Sequence, residues 1–505
     1  MIAVSTPAGT DTTTVQGIAA GSTLGLEQAL LANAGQPGLT VLAVGFTTTG
    51  KVQGCSLGDG NVVEVYASGA DFNAGTVLYR EFMSLGEPIC FTGLSVGTII
   101  TATQGFYGFC EMVDGSNESP MPLLSYGLSF KSTFLFAFRD SNEYGQAAQD
   151  RGFIYLVNGP LASTVELTFG SGTVVQSQSG ISLDPWESHT FETDGNVEYI
   201  INATNPVMAC VVAGQSDADG VTGTNSFRDA RLVMPLTNDG ITWPRSGFVS
   251  APYNNTQVDF WVRDGAEGRL NSTAGTGVSP GSAVDFDAAI GVGTGASDVD
   301  YLPDGATRVK AIGLISAYSG ADGQGGEATP LMPTSAMSQV VAQPLTIQDG
   351  GDGSASGVAI ASPYAGEAKV YSWNTATDSL DLEYTVPLIR NGVTVVTQDD
   401  QNHPAAGLVS NNTGVGVVTQ VGQLNPGVVI ADVPITVVVQ NNSATLVPSI
   451  RSQNGTTTTG IISQQDETLS LGITPANLKA EIIEAADGLL YRRSVTGGTE
   501  TWVLC

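Results

Sequence analysis

Apolar and polar positions alternate with a period of two along most of this chain, the spacing of strands that bury one face. Phe134-Leu135-Phe136-Ala137-Phe138 sets three phenylalanines on one face, and Thr190–Thr193 and Val197–Ile200 alternate in the same way. Turn signals separate the runs: Asp59-Gly60, Asn158-Gly159, Asp194-Gly195, Asp304-Gly305 and Asn391-Gly392 all suit tight hairpins. Helical spacing occurs in two stretches only. Ser22 or Thr23 caps Leu26 to Ala32, ended near Gly35, and Thr474-Pro475 opens a helix through Leu478, Ile482 and Ile483, stopped by Gly488. The predicted fold class is all-β: tandem antiparallel β-sandwich domains with short terminal helical segments.

The pattern also repeats at domain scale. Three times an apolar strand runs into Asp-Gly and then Met-Pro. The first copy is Thr98–Ala102, Asp114-Gly115, Met121-Pro122, and the second is Pro206–Val212, Asp219-Gly220, Met234-Pro235. The third is Val309–Ile315, Asp322-Gly323, Met332-Pro333, and a weaker fourth runs from Ile435–Val439 to Leu446-Val447-Pro448 without the Asp-Gly. Successive prolines stand about one β-sandwich apart. A second echo keeps the same order: Pro252-Tyr253 before the strand with Trp261, and Pro363-Tyr364 before the strand with Trp373. The expected organisation is an N-terminal arm with a short helix (1–38), then sandwiches at 39–120, 121–233, 234–331 and 332–447. A C-terminal cap or assembly segment (448–505) follows.

Length and composition agree with several cores. The chain has 505 residues, 63 of them glycine, too long for one ordinary domain. Forty-eight acidic side chains face 18 basic ones, a formal net charge of -30. Lys51, Lys131, Lys310, Lys369 and Lys479 are the only lysines. A surface this negative repels phosphate backbones and anionic lipid, so neither nucleic-acid binding nor membrane insertion is expected. No run reaches the length of an apolar membrane span; the most apolar, Pro426–Val439, contains Asp432 and Pro434. Met1–Pro7 has neither the basic nor the apolar region of a signal peptide. Cys55, Cys90, Cys110, Cys210 and Cys505 are odd in number and irregularly spaced, with no CxxC, so buried free thiols are expected rather than a zinc site. A Cys55–Cys90 or Cys90–Cys110 bridge stays open at this point.

Motifs that suggest chemistry fail on their context. Gly45-Phe46-Thr47-Thr48-Thr49-Gly50-Lys51 has P-loop spacing, but Val52 replaces the Mg²⁺-binding hydroxyl and β-structure follows in place of a helix. Gly93-Leu94-Ser95-Val96-Gly97 has the spacing of a nucleophile elbow, but Thr98–Thr103 reads as strand. His189 and His403 are the only histidines, so a general base is scarce. Asp217 with Asp219, and Asp298 with Asp300 and Asp304, offer oxygen ligands, without EF-hand spacing. Trp186 and Trp261 suit core packing better than sugar platforms. No catalytic, cofactor-binding or metal residue is assigned, no cofactor is expected, and the chain reads as a non-enzyme.

The run Tyr199–Ala209, with Asn202-Ala203-Thr204-Asn205-Pro206-Val207, resembles the sandwich modules of IgGFc-binding-type surface proteins. In style, with Gly/Thr/Asn-rich tandem sandwiches and no export signal, the chain also looks like structural proteins of marine tailed phages of the cyanophage type. That resemblance implies a virion protein assembled in the host cytoplasm, part of a neck, tail or capsid appendage. Its implied partners are other virion proteins and further copies of itself, with a host surface glycan as a candidate ligand. The alternatives are a bacterial surface adhesin or S-layer-like protein, and a virion-borne glycan hydrolase.

Overall fold

The computed structural model describes residues 2–4, 40–45, 50–114, 117–125, 134–137, 151–171, 174–194, 198–215, 226–234, 236–242, 247–252, 256–264, 267–270, 276–278, 284–285, 307–320, 328–347, 357–397, 409–410, 415–419, 424–441, 449–460, 467–471, 482–484, 490–496 and 499–504. The chain is all-β, built mainly from antiparallel sheets. Strand β1 (Ile2–Val4) belongs to a small terminal sheet described last.

The first sandwich holds β2 (Thr40–Ala43), β3 (Val52–Ser56), β4 (Asn61–Tyr66), β5 (Tyr79–Met83), β6 (Pro88–Phe91), β7 (Ile99–Ala102), β8 (Phe106–Asp114), β9 (Asn117–Pro122) and β10 (Leu124–Ser125). One sheet runs β10-β2-β7-β4-β5 and the other β6-β3-β8-β9. If the first eight strands are called positions A to H, the sheets read A-F-C-D and E-B-G-H. Helix α1 (Gly69–Ala74) sits between C and D, capped by Ser68, whose hydroxyl accepts from the Asp71 amide, and closed by Gly75 at φ 71°. The sequence reading missed this helix, because six residues hold no helical period.

The second sandwich holds β11 (Phe134–Ala137), β12 (Arg151–Asn158), β13 (Ser163–Ser171), β14 (Val174–Leu183), β15 (Ser188–Asp194), β16 (Glu198–Ala203), β17 (Val207–Gln215) and β18 (Ser226–Leu232). Its sheets run β11-β16-β13-β14 and β15-β12-β17-β18, which is A-F-C-D and E-B-G-H again. Ile154, Leu156, Leu167, Phe191, Tyr199 and Ile201 form a core between them.

The third sandwich contains β19 (Thr237–Thr242), β20 (Gly247–Ser250), β21 (Thr256–Asp264), β22 (Glu267–Leu270), β23 (Thr276–Val278), β24 (Val284–Asp285), β25 (Thr307–Gly320), β26 (Ala328–Pro330) and β27 (Met332–Pro333). Here F and G are one continuous strand. The first part of β25, Thr307–Ile315, pairs with β19 and β21, and Ser316–Ser319 pairs with β20 in the other sheet. The order is otherwise unchanged.

The fourth sandwich contains β28 (Ser338–Gln343), β29 (Gly357–Ser362), β30 (Gly366–Asn374), β31 (Ser379–Leu388), β32 (Gly392–Thr397), β33 (Val409–Ser410), β34 (Val415–Thr419) and β35 (Gly427–Asn441). Between β35 and the last strand, β38 (Glu467–Leu471), lies the hairpin β36 (Ser449–Arg451) and β37 (Thr457–Thr459). β35 is again F and G fused: Gly427–Ile435 pairs with β28 and β30, Thr436–Gln440 with β29. β38 pairs with Val437–Asn441 as position H, so this sandwich reaches past residue 447. All four sandwiches therefore share one strand order.

The common topology corrects the register of the sequence echo. The amides of Leu123, Val233 and Leu331 donate to the carbonyls of Gly108, Ala209 and Ala317 on the three G positions. These residues are equivalent, so Leu124 matches Met234 and Met332. Met121-Pro122 lies three residues earlier, inside β9. Of the Pro-Tyr echo, Pro252 and Pro363 are in true register, since each follows B and precedes C, and Tyr253 lies outside the described residues.

The sandwiches close into a ring. The four H strands are edge strands of their sheets, and they meet one another: β9 packs against β18, β18 against β26, β26 against β38, and β38 against β9. Edge strands shielded in this way present no free ladder to another chain. Buried residues of the first and fourth sandwiches, including Phe91, Phe106, Val370 and Val437, belong to one continuous apolar cluster.

The chain ends form their own sheet, ordered β1-β41-β40-β39, with β39 (Ile482–Glu484), β40 (Leu490–Thr496) and β41 (Thr499–Leu504). Ile482 and Ile483, expected in a helix, are thus in a strand, where β-branched side chains suit the pleat. The expected helix at Leu26–Ala32 lies outside the described residues, as does Leu446-Val447-Pro448.

Candidate interaction surfaces

The surfaces with defined chemistry are the joints between sandwiches. At the joint of the first and second, Trp186 acts as a wedge. It occupies a tight turn at φ 65°, a left-handed conformation that costs a non-glycine residue about 1–3 kcal/mol. Its ring meets Phe72 of α1 edge-on at 5.1 Å, and its indole N–H donates to Asn73 Oδ1 at 3.2 Å. Only 2% of Trp186 is exposed. A Cβ on Gly69 would stand 2.1 Å from Trp186 Cβ, so the approach requires glycine there. In the same apolar cluster, burial and then the nearby Cys210 raise the pKa values of Tyr107 and Tyr155 far above the ordinary phenol range.

The joint of the third and fourth sandwiches centres on Arg308. Its Nε and Nη2 donate to the two carboxylate oxygens of Asp239 at 2.9 and 2.7 Å, and its Nη1 donates to Asn391 Oδ1 at 3.3 Å. The first contact is a fork within the third sandwich, and the second crosses to the fourth. The hydrogen bonds to Asp239 raise the Arg308 pKa further, so its charge is fixed.

Ring closure joins the fourth sandwich to the first. Gln53 Nε2 donates to Pro344 O at 2.5 Å, and the Cys55 thiol approaches Gln343 O at 3.8 Å. The β36–β37 hairpin extends this contact. Ser452 bridges to Cys90 beside the edge strand β6, and Gln453 donates to the Thr92 hydroxyl at 2.7 Å. Arg451 Nη1 donates to Glu81 Oε2 at 2.7 Å, while its Nη2 lies 2.8 Å from Glu87 Oε1. That second approach is off the hydrogen-bond direction, so its attraction is electrostatic. The backbone N–H of Asn454 donates to Glu81 Oε1 at 3.0 Å. The hairpin thereby plugs the open side of the first sandwich between β5 and β6.

The motifs singled out in the sequence become structural loops. Leu94 N donates to Gly50 O at 2.8 Å and Gly97 N to Val44 O at 2.8 Å, so the P-loop-like and elbow-like segments hold each other at one end of the first sandwich. Strand β3, with no helix, follows Lys51. His189 is half-buried at the start of β15, its ring 4.7 Å from Phe191. Trp261 lies in β21. His403, Asp217, Asp219, Asp298, Asp300 and Asp304 lie outside the described residues. Among the described residues, no three His, Cys, Asp or Glu side chains gather where they would hold a metal ion. Cys55, Cys90, Cys110 and Cys210 are buried thiols outside any disulfide. Cys90 on β6 and Cys110 on β8 flank β3 from opposite sides, about 9–10 Å apart and beyond disulfide reach. Cys505 lies outside the described residues.

Sequence reasoning missed these joints. The one available signal was the rarity of cations, which makes an arginine inside a strand of so acidic a chain a candidate for a specific carboxylate partner. Among the described residues, no helix is long and apolar enough to cross a membrane. No family model matches the chain, and no curated protein matches it in sequence.

Proposed function

We propose that this chain is a structural building block of a tailed-phage virion, forming part of a neck, tail or capsid appendage. It would act through contacts with its own copies and with other virion proteins. The observation that carries the reading is the closed ring of four like sandwiches, tied to one another by the polar contacts of Trp186, Arg308, Gln53 and Arg451. A ring whose four H edge strands pack against one another makes a rigid spacer with those four edges closed to strand addition by other chains. The charge of -30 supports solubility at high copy number before assembly. The test is mass spectrometry and electron microscopy of purified particles from producing cells. The reading predicts the protein at stoichiometric copy number with density for a four-lobed ring, and particles lacking it refute the reading.

A further inference from the structure

We infer that Asn454-Gly455, at the turn of the β36–β37 hairpin, is a self-modification site whose deamidation frees the hairpin from the first sandwich. Asn-Gly is the pair most prone to this reaction, because the bare glycine Cα leaves its amide nitrogen open to attack on the preceding carboxamide. The chain contains three such pairs, Asn158-Gly159, Asn391-Gly392 and Asn454-Gly455. Two of them are held. Asn158 and Gly159 are buried, and Asn158 Nδ2 donates to the carbonyls of Leu161, Leu183 and Asp184. Asn391 is half-buried beside the buried Gly392, and its Oδ1 accepts from Arg308 Nη1. Asn454 and Gly455 are both exposed, and among the described residues the Asn454 carboxamide has no hydrogen-bond partner.

The reaction needs only water. Base takes the Gly455 amide proton, the nitrogen bonds to Asn454 Cγ, and the Cγ–Nδ2 bond breaks to release ammonia. Water then opens the five-membered imide at either carbonyl, leaving an aspartate or an isoaspartate. The closed hairpin slows the attack, because Asn454 sits at φ 64°, ψ 21° and the Gly455 N–H donates to Ser452 O at 3.2 Å. The nitrogen must rotate towards Cβ to close the ring, so reaction follows local opening of the turn. The product acts on the contact that holds the hairpin. The Asn454 amide donates to Glu81 Oε1 at 3.0 Å, and Glu81 and Glu87 already share one cation, Arg451. A carboxylate at position 454 sets a third negative charge against that guanidinium, and isoaspartate also lengthens the turn by one backbone carbon. Either change weakens the grip on β5 and β6 and uncovers β6, the outer strand of its sheet. Ammonia is lost, so the hairpin is a one-way timer.

Peptide mapping by mass spectrometry of the full-length chain, aged at mildly alkaline pH, tests the site. Asn454 should deamidate at least about tenfold faster than Asn158 and Asn391 in the native chain, and guanidinium should bring the three rates together. Amide exchange tests the consequence. Asn454→Asp, which installs the product, should speed exchange of β6 and β36 severalfold with β12 unchanged, and the effect should shrink at high salt, where exposed charges are screened. Asn454→Gly suits the left-handed φ and adds no charge, so it should leave exchange unchanged. A native rate at Asn454 no higher than at Asn158 overturns the proposal. So does exchange in Asn454→Asp as slow as in Asn454→Gly.

Discussion

Adding one methyl group at Gly69 tests the joint between the first and second sandwiches. In Gly69→Ala the new Cβ meets Trp186 Cβ at 2.1 Å, with Trp186 Cγ and O each at 3.1 Å. Ordinary carbon contacts begin more than 1 Å farther out, so the turn or the helix must move. Overpacking of this kind costs about 1–3 kcal/mol. Alanine otherwise favours a helix over glycine by up to about 1 kcal/mol, so the clash opposes an intrinsic gain. Removing the Trp186 side chain removes the nearest atom. In a Trp186→Gly background, Gly69→Ala should fall within about 1 kcal/mol of neutral, giving a coupling of about 1–3 kcal/mol. A chain of several sandwiches does not unfold in two states, so the readout is local. Amide exchange of residues 69–75 and 184–188 should speed up in Gly69→Ala alone and change little when Gly69→Ala is added to Trp186→Gly. The same acceleration in both backgrounds, or none in either, refutes this account of the wedge.

The remaining predictions concern the other joints and the buried groups. Arg451→Met removes both carboxylate contacts at partly exposed positions and should cost about 1–3 kcal/mol locally, read as faster exchange of β6 and β36 with β12 unchanged. Arg308→Lys keeps the charge but loses the fork to Asp239, so a drop of about 1–2 kcal/mol at the joint of the third and fourth sandwiches is expected from local exchange. Burial, followed by the hydrogen bond to Glu64, pushes the Tyr66 pKa up to about 12 from the ordinary phenol value of 10.0. Its contribution to stability is therefore intact below pH 10 and lost between about 10 and 12. Alkaline titration at the phenolate absorbance should show one late-ionising group fewer in Tyr66→Phe. Cys55, Cys90, Cys110 and Cys210 should stay unlabelled by a thiol reagent in the native chain and all label in guanidinium; native labelling of any of them contradicts their burial.

Local pattern carried the fold class, and distance along the chain hid the rest. Period-two alternation and Asp-Gly turns identify strands because both signals span a few residues. Pro252 and Pro363 lie in true register because both follow the same strand position and precede a Trp-bearing strand. Met121-Pro122 misleads by three residues because it falls inside β9, at the positions of Arg231-Leu232 in β18, whereas Met234 matches Leu124. Fusion of F and G in β25 and β35 leaves no mark, since alternation continues unbroken as the strand changes sheets. Ile482 and Ile483 satisfy a helical spacing with Leu478, yet they pair with Arg492 and Tyr491. Ring closure was out of reach, because the Gln53–Pro344 contact joins positions 291 residues apart.

The closed ring is the central claim, and solution X-ray scattering of the monomeric species tests it most directly. A compact chain of this length has a radius of gyration of about 23–27 Å, whereas four sandwiches strung end to end give about 40 Å. The account predicts the smaller value. A value near 40 Å would show the first and fourth sandwiches apart and contradict it.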